Sequence, residues 1–176
     1  REHTPAAPLK WVAHAATLTF DTVPDEVDAY LDPNGGNSYA EAGFTVTAPN
    51  GILAWWTAPG SVHIDDAGTG FTSGLDFSLT GGGTFDAVSF DIISSGYDYI
   101  DPAAPPADNI LITGFDTNGV VASASFTLTS VIGALQTLTL GGAFRGLTSL
   151  SIALLYQDPA GNFCAPCAHF DLDSAT

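Results

Sequence analysis

Apolar and polar residues alternate with a period of two along most of this 176-residue chain. The series opens with "ATLTFD" (Ala16–Asp21), "AGFTVTA" (Ala42–Ala48), "GILAWWT" (Gly51–Thr57) and "SVHI" (Ser61–Ile64). It continues through "LDFSL" (Leu75–Leu79), "FDAVSFDII" (Phe85–Ile93), "NILITGFD" (Asn109–Asp116) and "VVASASFTLT" (Val120–Thr129). "QTLTL" (Gln136–Leu140), "SLSIALL" (Ser149–Leu155) and "HFDLD" (His169–Asp173) complete it. Residues that recur at every second position line one face of a strand, and Thr, Val, Ile and Phe suit that half-buried setting. The intervening "DPNGGN", "APNG", "TGGG" and "DTNG" are turn-forming clusters. About ten short strands with turn signals, and no convincing helix, predict an all-β fold: an antiparallel β-sandwich or jelly roll.

Two segments depart from the pattern. "DYIDPAAPPADN" (Asp98–Asn109) is rich in Pro and Ala, and Pro lacks the N–H that a sheet interior requires, so a solvent-facing loop is expected. The start, "REHTPAAPLKWVAHAA", reads as an extended arm over residues 1–14 ahead of a single sandwich domain over residues 15–176. This length suits one domain with a sizeable core.

Charge narrows the possible partners. Nineteen acidic residues face three basic ones, Arg1, Lys10 and Arg145, for a formal net charge of −16. Such a chain repels phosphate backbones and anionic lipid surfaces, which excludes nucleic acid as a partner. No apolar run approaches the roughly 20 residues that a membrane helix needs. The chain lacks Met altogether, and its start shows no signal-peptide pattern, as a processed secretory protein would. Most of the acids are Asp beside Gly, Asn or Pro, short carboxylates in turns that suit Ca²⁺ as well as they suit a solvated surface.

The densest chemistry lies in "CAPCAHFDLD", Cys164 to Asp173, which holds both cysteines. A c-type haem needs Cys-x-x-Cys-His, and Ala168 breaks that spacing. Zinc takes four ligands, and a Cys pair with one His leaves one unaccounted for. A thioredoxin-like dithiol sits at a helix N-terminus, whereas this pair runs straight into a strand. The expectation is a Cys164–Cys167 disulfide, formed in an oxidising compartment, that pins the loop before the last strand.

His63 with Asp65 and Asp66, in "SVHIDDAG", invites a His–Asp pairing or a metal site. On a strand His63 and Asp65 share a face and Asp66 takes the other. No Gly-x-Ser-x-Gly elbow supplies a nucleophile. Glu is scarce, at Glu2, Glu26 and Glu41 only, so the paired acids of a glycosidase are poorly supplied and no enzyme is expected. Trp55 and Trp56 are adjacent, which on a strand puts one inside and one outside; an exposed indole, with Tyr97 and Tyr99 near the Pro-rich loop, would suit a sugar.

"LTFDTVPDEVDAYLDPNGGNSYAEAGFTVTAP" and the later "FDAVSFDII", "ILITGFDTNGVVASASFTLT", "LTLGGAFRGLTSLSIAL" and "FDLD" together resemble secreted bacterial β-sandwich domains that carry a PEP-CTERM sorting tail, jelly rolls of the carbohydrate-binding-module kind. The resemblance runs from about Leu18 to Asp173. It implies an extracellular or cell-surface location, and such a family continues beyond the position of Thr176 into a short linker and an anchor helix, whose absence suggests processing or a trimmed sequence. It also implies that the first and last strands lie side by side with a structural Ca²⁺ between them. Asp21 would then meet Asp171 or Asp173, and Asp25 or Glu26 would complete the shell.

The function expected is that of a non-catalytic matrix, surface or filament subunit that self-associates. "LKWVAHAATLTF" (Leu9–Phe20) is longer and more apolar than a first strand needs. Its Leu9, Trp11 and Val12 could add to the sheet edge of a neighbouring subunit, anchored by Trp11. Calcium between acidic surfaces would offset the self-repulsion. The alternative is a monomeric secreted carbohydrate-binding module that uses Trp55, Trp56, Tyr97 and Tyr99 on a polysaccharide.

Overall fold

The computed structural model describes residues 16–21, 38–48, 61–65, 74–94, 109–129, 131, 133–154 and 169–176; for His63, Ile64, Asp65, Leu154, His169 and Asp171 it describes the backbone alone. Among the described residues ten strands run in chain order: β1 (Ser38–Glu41), β2 (Phe44–Thr47), β3 (Val62–Asp65), β4 (Gly74–Leu79), β5 (Ser89–Ser94), β6 (Asn109–Asp116), β7 (Gly119–Thr127), β8 (Leu135–Thr139), β9 (Ser149–Leu154) and β10 (His169–Ala175). They form two antiparallel sheets, β1-β2-β4-β9-β6-β7 and β3-β10-β5-β8. Phe77 of β4 and Phe90 of β5 meet between the sheets, ring centroids 5.7 Å apart. The all-β sandwich expected from the alternation is the fold observed.

Alternation explains which residues form the core. Leu75 and Phe77 of β4, Phe90 and Ile92 of β5, Ile110 and Ile112 of β6, Leu150 and Ile152 of β9, and Phe170 and Leu172 of β10 are all buried in one cluster. Fully burying such side chains stabilises by about 1.5–3 kcal/mol each, so this inner layer dominates the folding energy. The β6–β7 hairpin closes on Asp116, whose carboxylate accepts the Asn118 N–H at 2.6 Å. That bond holds the Asp116 carboxyl below its ordinary value.

Three strand boundaries differ from the sequence reading, each because a particular contact intervenes. The Ala42–Ala48 segment starts with a turn. Ala42 and Gly43 sit at φ 50° and 84°, the left-handed pair a two-residue hairpin loop requires, so an additional strand, β1, forms ahead of them. The Phe85–Ile93 segment is divided. Phe85 exchanges both backbone bonds with Leu147 (2.9 and 2.8 Å) and Asp86 Oδ1 accepts the Gly146 N–H at 2.8 Å, so β5 begins at Ser89. The Ala16–Asp21 segment makes a single bridge, Leu18 to Ala175, rather than a full strand. Gly51–Thr57 lies outside the described residues.

Candidate functional site

Two regions stand out, on opposite flanks of the sandwich. At the first, the chain's beginning meets its end. Leu18 N–H donates to the Ala175 carbonyl at 2.8 Å, and Ala175 N–H returns the bond at 3.0 Å. Ala175 also pairs with Phe90 of β5, so Leu18 lies on the β3 side of β10. The next two residues are captured from the other sheet. Glu41, at the end of edge strand β1, accepts the N–H groups of Thr19 (3.2 Å) and Phe20 (3.0 Å) on Oε2 and the Thr19 hydroxyl (3.2 Å) on Oε1. Phe20 is wholly buried against Tyr39, 5.9 Å between centroids, although its φ of 57° is left-handed. A bulky residue adopts that conformation only where its surroundings hold it there. "YAEAGF" therefore works as a bracket: Tyr39 and Glu41 grip the first segment, Ala42 and Gly43 turn, and Phe44 packs edge-on to Phe85 at 5.1 Å. Glu41 thus spends its carboxylate on three donors of the first segment.

The carboxylates gather nearby. Asp173 is the extra residue of a β-bulge between Leu172 and Ser174. Partial burial first, then the negative charges of Asp91 and Asp21, push its carboxyl above the ordinary value. Of the carboxylates expected to meet Asp21, Asp173 is thus near enough to feel its charge. Asp91, which the sequence reading passed over, joins them and accepts the hydroxyls of Thr137 (2.6 Å) and Ser174 (3.0 Å). Asp171 stands in register with His63 of β3 and Ile93 of β5. Asp25 and Glu26 lie outside the described residues. Among the described residues no three His, Cys, Asp or Glu side chains come close enough to hold a metal ion. Asp21 and Asp173 alone fall short of the six to eight oxygens that Ca²⁺ takes.

Asp173 gives a test of the local electrostatics. A carboxyl whose folded-state pKa exceeds its unfolded one binds protons more readily when folded, so its ionisation destabilises the fold. That penalty is absent below the unfolded pKa and complete above the folded one. Asp173→Asn is expected to raise stability at pH 7 in EDTA by about half a kcal/mol after solvent screening. The gain should vanish in thermal melts near pH 3, where Asp173 is protonated in both states. If Ca²⁺ sits between Asp21 and Asp173, melts in millimolar Ca²⁺ should show the opposite sign.

The second region was missed in the sequence, although its signal was present. Residues 117–144 contain no Asp, Glu, Lys, Arg or His, in a chain of net charge −16. This run supplies β7 and β8, the terminal strands of the two sheets among the described residues. Gln136 of β8 ties them together: its amide donates to the Thr127 carbonyl at 3.4 Å and its oxygen accepts the Thr129 N–H at 3.0 Å. The result is one uncharged flank with two sheet edges. It exposes Val120 (63%), Val131 (62%) and Leu135 (59%), with Val121 also exposed. β7 is nine residues long and contains no Pro. Charge and Pro are the usual means by which a protein discourages pairing at an edge.

The other expected site residues lie outside the described residues: Leu9, Trp11 and Val12 of the arm, Trp55, Trp56, Tyr97 and Tyr99, and the Cys164–Cys167 pair. No helix among the described residues is long and apolar enough to cross a membrane.

The class defined by these features is an antiparallel β-sandwich protein with terminal closure on one flank and an uncharged open flank on the other. No protein-family model and no curated protein matches the chain. Among solved structures it is similar to a DUF4465 family protein from Bacteroides caccae, at 13% identity and TM-score 0.47 over 77% of this chain and 73% of that one. It is also similar to the Stig cyclase FisC from Fischerella sp. TAU, solved with a pyrrolidinylidene-indole, at 16% identity and TM-score 0.34 over 90% and 94%. Neither likeness is close enough to carry a functional argument.

Proposed function

We propose that this chain is a non-catalytic, self-associating structural subunit of an extracellular assembly. The observation that carries the reading is the uncharged flank of β7 and β8. Two copies at net charge −16 repel each other over most possible contacts, and the β7 and β8 strands of this flank carry no charged side chains of their own. Every second residue of an edge strand presents its N–H and C=O away from the sheet, so β7 can accept another strand. Its alternate residues Ser123, Ser125 and Thr127 are exposed and small, which lets a neighbour approach closely.

The strand it accepts is the arm of a neighbouring copy, with Leu9, Trp11 and Val12 supplying apolar contacts. Thr17–Phe20 are already committed to their own subunit by Ala175 and Glu41, which leaves the residues before them to act as donor. That donor enters the subunit beside β1 and β3, whereas β7 lies at the far end of the larger sheet. Donor and acceptor on opposite flanks make a head-to-tail contact, which propagates into an open chain of subunits unless a rotation closes it into a ring.

Negative-stain microscopy and sedimentation test this directly. The intact chain should form polymers. Deleting residues 1–14 should abolish them, and so should Ser123→Lys with Ser125→Lys on β7. Mixing the deletion variant with the lysine variant should yield a discrete one-to-one pair, because one contributes the only donor and the other the only acceptor. Polymers from the deletion variant would end the arm mechanism, and an intact chain that stays monomeric at millimolar concentration would end self-association.

A further inference from the structure

The tip of the β6–β7 hairpin sets one carboxylate beside both partners of a latent reaction. Asp116 ends β6 and pairs with Gly119, the first residue of β7, so Thr117 and Asn118 form the loop between them. The Asp116 carboxylate accepts the Asn118 backbone N–H on Oδ1 at 2.6 Å and the Asn118 side-chain amide on Oδ2 at 3.3 Å. The Gly119 N–H lies near enough to the same carboxylate to favour its ionised form. Thr117, Asn118 and Gly119 are exposed, and a Cβ on Gly119 would meet nothing within 4 Å. The Gly119 nitrogen is therefore unshielded, and water reaches the loop. Its φ of 125° suits glycine and no bulkier residue.

We propose that Asn118 is a self-modification site, converted through a cyclic imide to aspartate and isoaspartate, with Asp116 as the proton carrier. The Gly119 nitrogen attacks Asn118 Cγ and gives up its proton to the Asp116 carboxylate. The Cγ–Nδ2 bond then breaks, and Asp116 returns the proton to Nδ2, which leaves as ammonia. One water next adds to either carbonyl of the five-membered imide, and the ring opens. Attack at the side-chain carbonyl gives aspartate. Attack at the main-chain carbonyl gives isoaspartate, whose backbone runs through Cγ. No oxidant or reductant takes part, and the carboxylate ends as it began. A backbone amide is a very weak acid, so a positioned proton acceptor assists the step that is otherwise hardest.

The same dipeptide recurs as Asn34–Gly35 and Asn50–Gly51, both outside the described residues. Two residues before Asn50 stands Ala48, where Asn118 has Asp116, so the chain carries its own comparison. The product adds a carboxylate at the foot of β7, inside the run of residues 117–144 that is otherwise without charge. The reaction needs no neighbouring subunit, so its test is independent of the proposed assembly.

Peptide mapping by mass spectrometry of the full chain, held at pH 7 and 37 °C, follows the reaction. Peptides that contain residue 118 should gain the mass of OH over NH2 and separate into aspartyl and isoaspartyl forms. Conversion at Asn118 should be at least about tenfold faster in the folded chain than in urea, where it should match Asn50. Asp116→Asn keeps an acceptor oxygen for the turn but cannot take the proton, and should slow conversion in the folded chain. The expected loss is about tenfold, below the roughly 10²–10⁴-fold of a positioned acid–base group, because this carboxylate is in water. Asp116→Ser, which also offers an oxygen to the turn, is the second variant, with circular dichroism to show that each folds. A folded rate no greater than that in urea would mean that the hairpin protects Asn118, and would overturn the proposal. Unchanged rates in both Asp116 variants would overturn it equally. Aspartate without isoaspartate would indicate direct hydrolysis and would rule out the cyclic route.

Discussion

Gly74→Ala is expected to destabilise the protein by about 3 kcal/mol, the upper end of what a forced insertion into a packed interior costs. Gly74 begins β4 and pairs with Ala153 of β9, near the middle of the six-stranded sheet. A Cβ placed on it would overlap the Ile152 carbonyl oxygen and come within 3.3 Å of Ala153 Cα. Both obstacles are backbone, so no side chain can swing aside. The strands must part, and the ladder that carries Leu75, Phe77, Leu150 and Ile152 loses its register at that end. With domain stabilities of about 5–15 kcal/mol, a loss of this size is a large share of the total. Urea unfolding followed by circular dichroism measures it. A change below about 1 kcal/mol would mean that β4 and β9 do not approach as closely as this.

Glu41→Ala is expected to cost about 2–3 kcal/mol and to release the first segment. Its carboxylate accepts three donors, two of them backbone N–H groups with no strand partner. Leaving partly buried donors unpaired costs about 1–3 kcal/mol each, less where water reaches them. The left-handed conformation of Phe20 then loses what holds it, and its ring loses its place against Tyr39. Hydrogen exchange should show Leu18 and Phe20 unprotected in the variant while Ile110 and Ile152 remain slow. Glu41→Gln keeps one acceptor oxygen and should cost roughly half as much. Equal protection of Leu18 in both proteins would show that the Ala175 pairing alone secures the segment.

The fold was legible from the sequence because the strand period is local. "FSL", "SFDII" and "NILIT" announce their inner faces without help from distant residues. Tertiary contacts decided the rest. Nothing in "ATLTFD" states that a glutamate twenty residues on will take the N–H groups that a full strand would have used. β1 escaped notice because "SYAE" is short and alternates exposed with half-buried positions, so it carries no strong apolar signal. Asp91 looked like an ordinary outward residue of "SFDII"; its role beside Asp173 depends on β5 lying next to β10. The same non-locality concealed the His63–Asp171 and Asp65–His169 pairings, even though each motif had drawn attention alone. The uncharged run of residues 117–144 is different, since composition alone would have revealed it; its meaning as a flank required the strand order.

The last strand occupies an inner position. β10 is flanked by β3 on one side and β5 on the other, and it also receives Leu18 from the opposite end of the chain. The smaller sheet is therefore without its middle until residues 169–175 have been synthesised. Closure between such distant partners is slow, because the entropy of a long loop must be overcome before any of its contacts form. The β6–β7 hairpin can form early, but the smaller sheet cannot close before residues 169–175 are available. The strand order itself sets an interval between synthesis and folding, with a length governed by how soon residues 169–175 become free to insert.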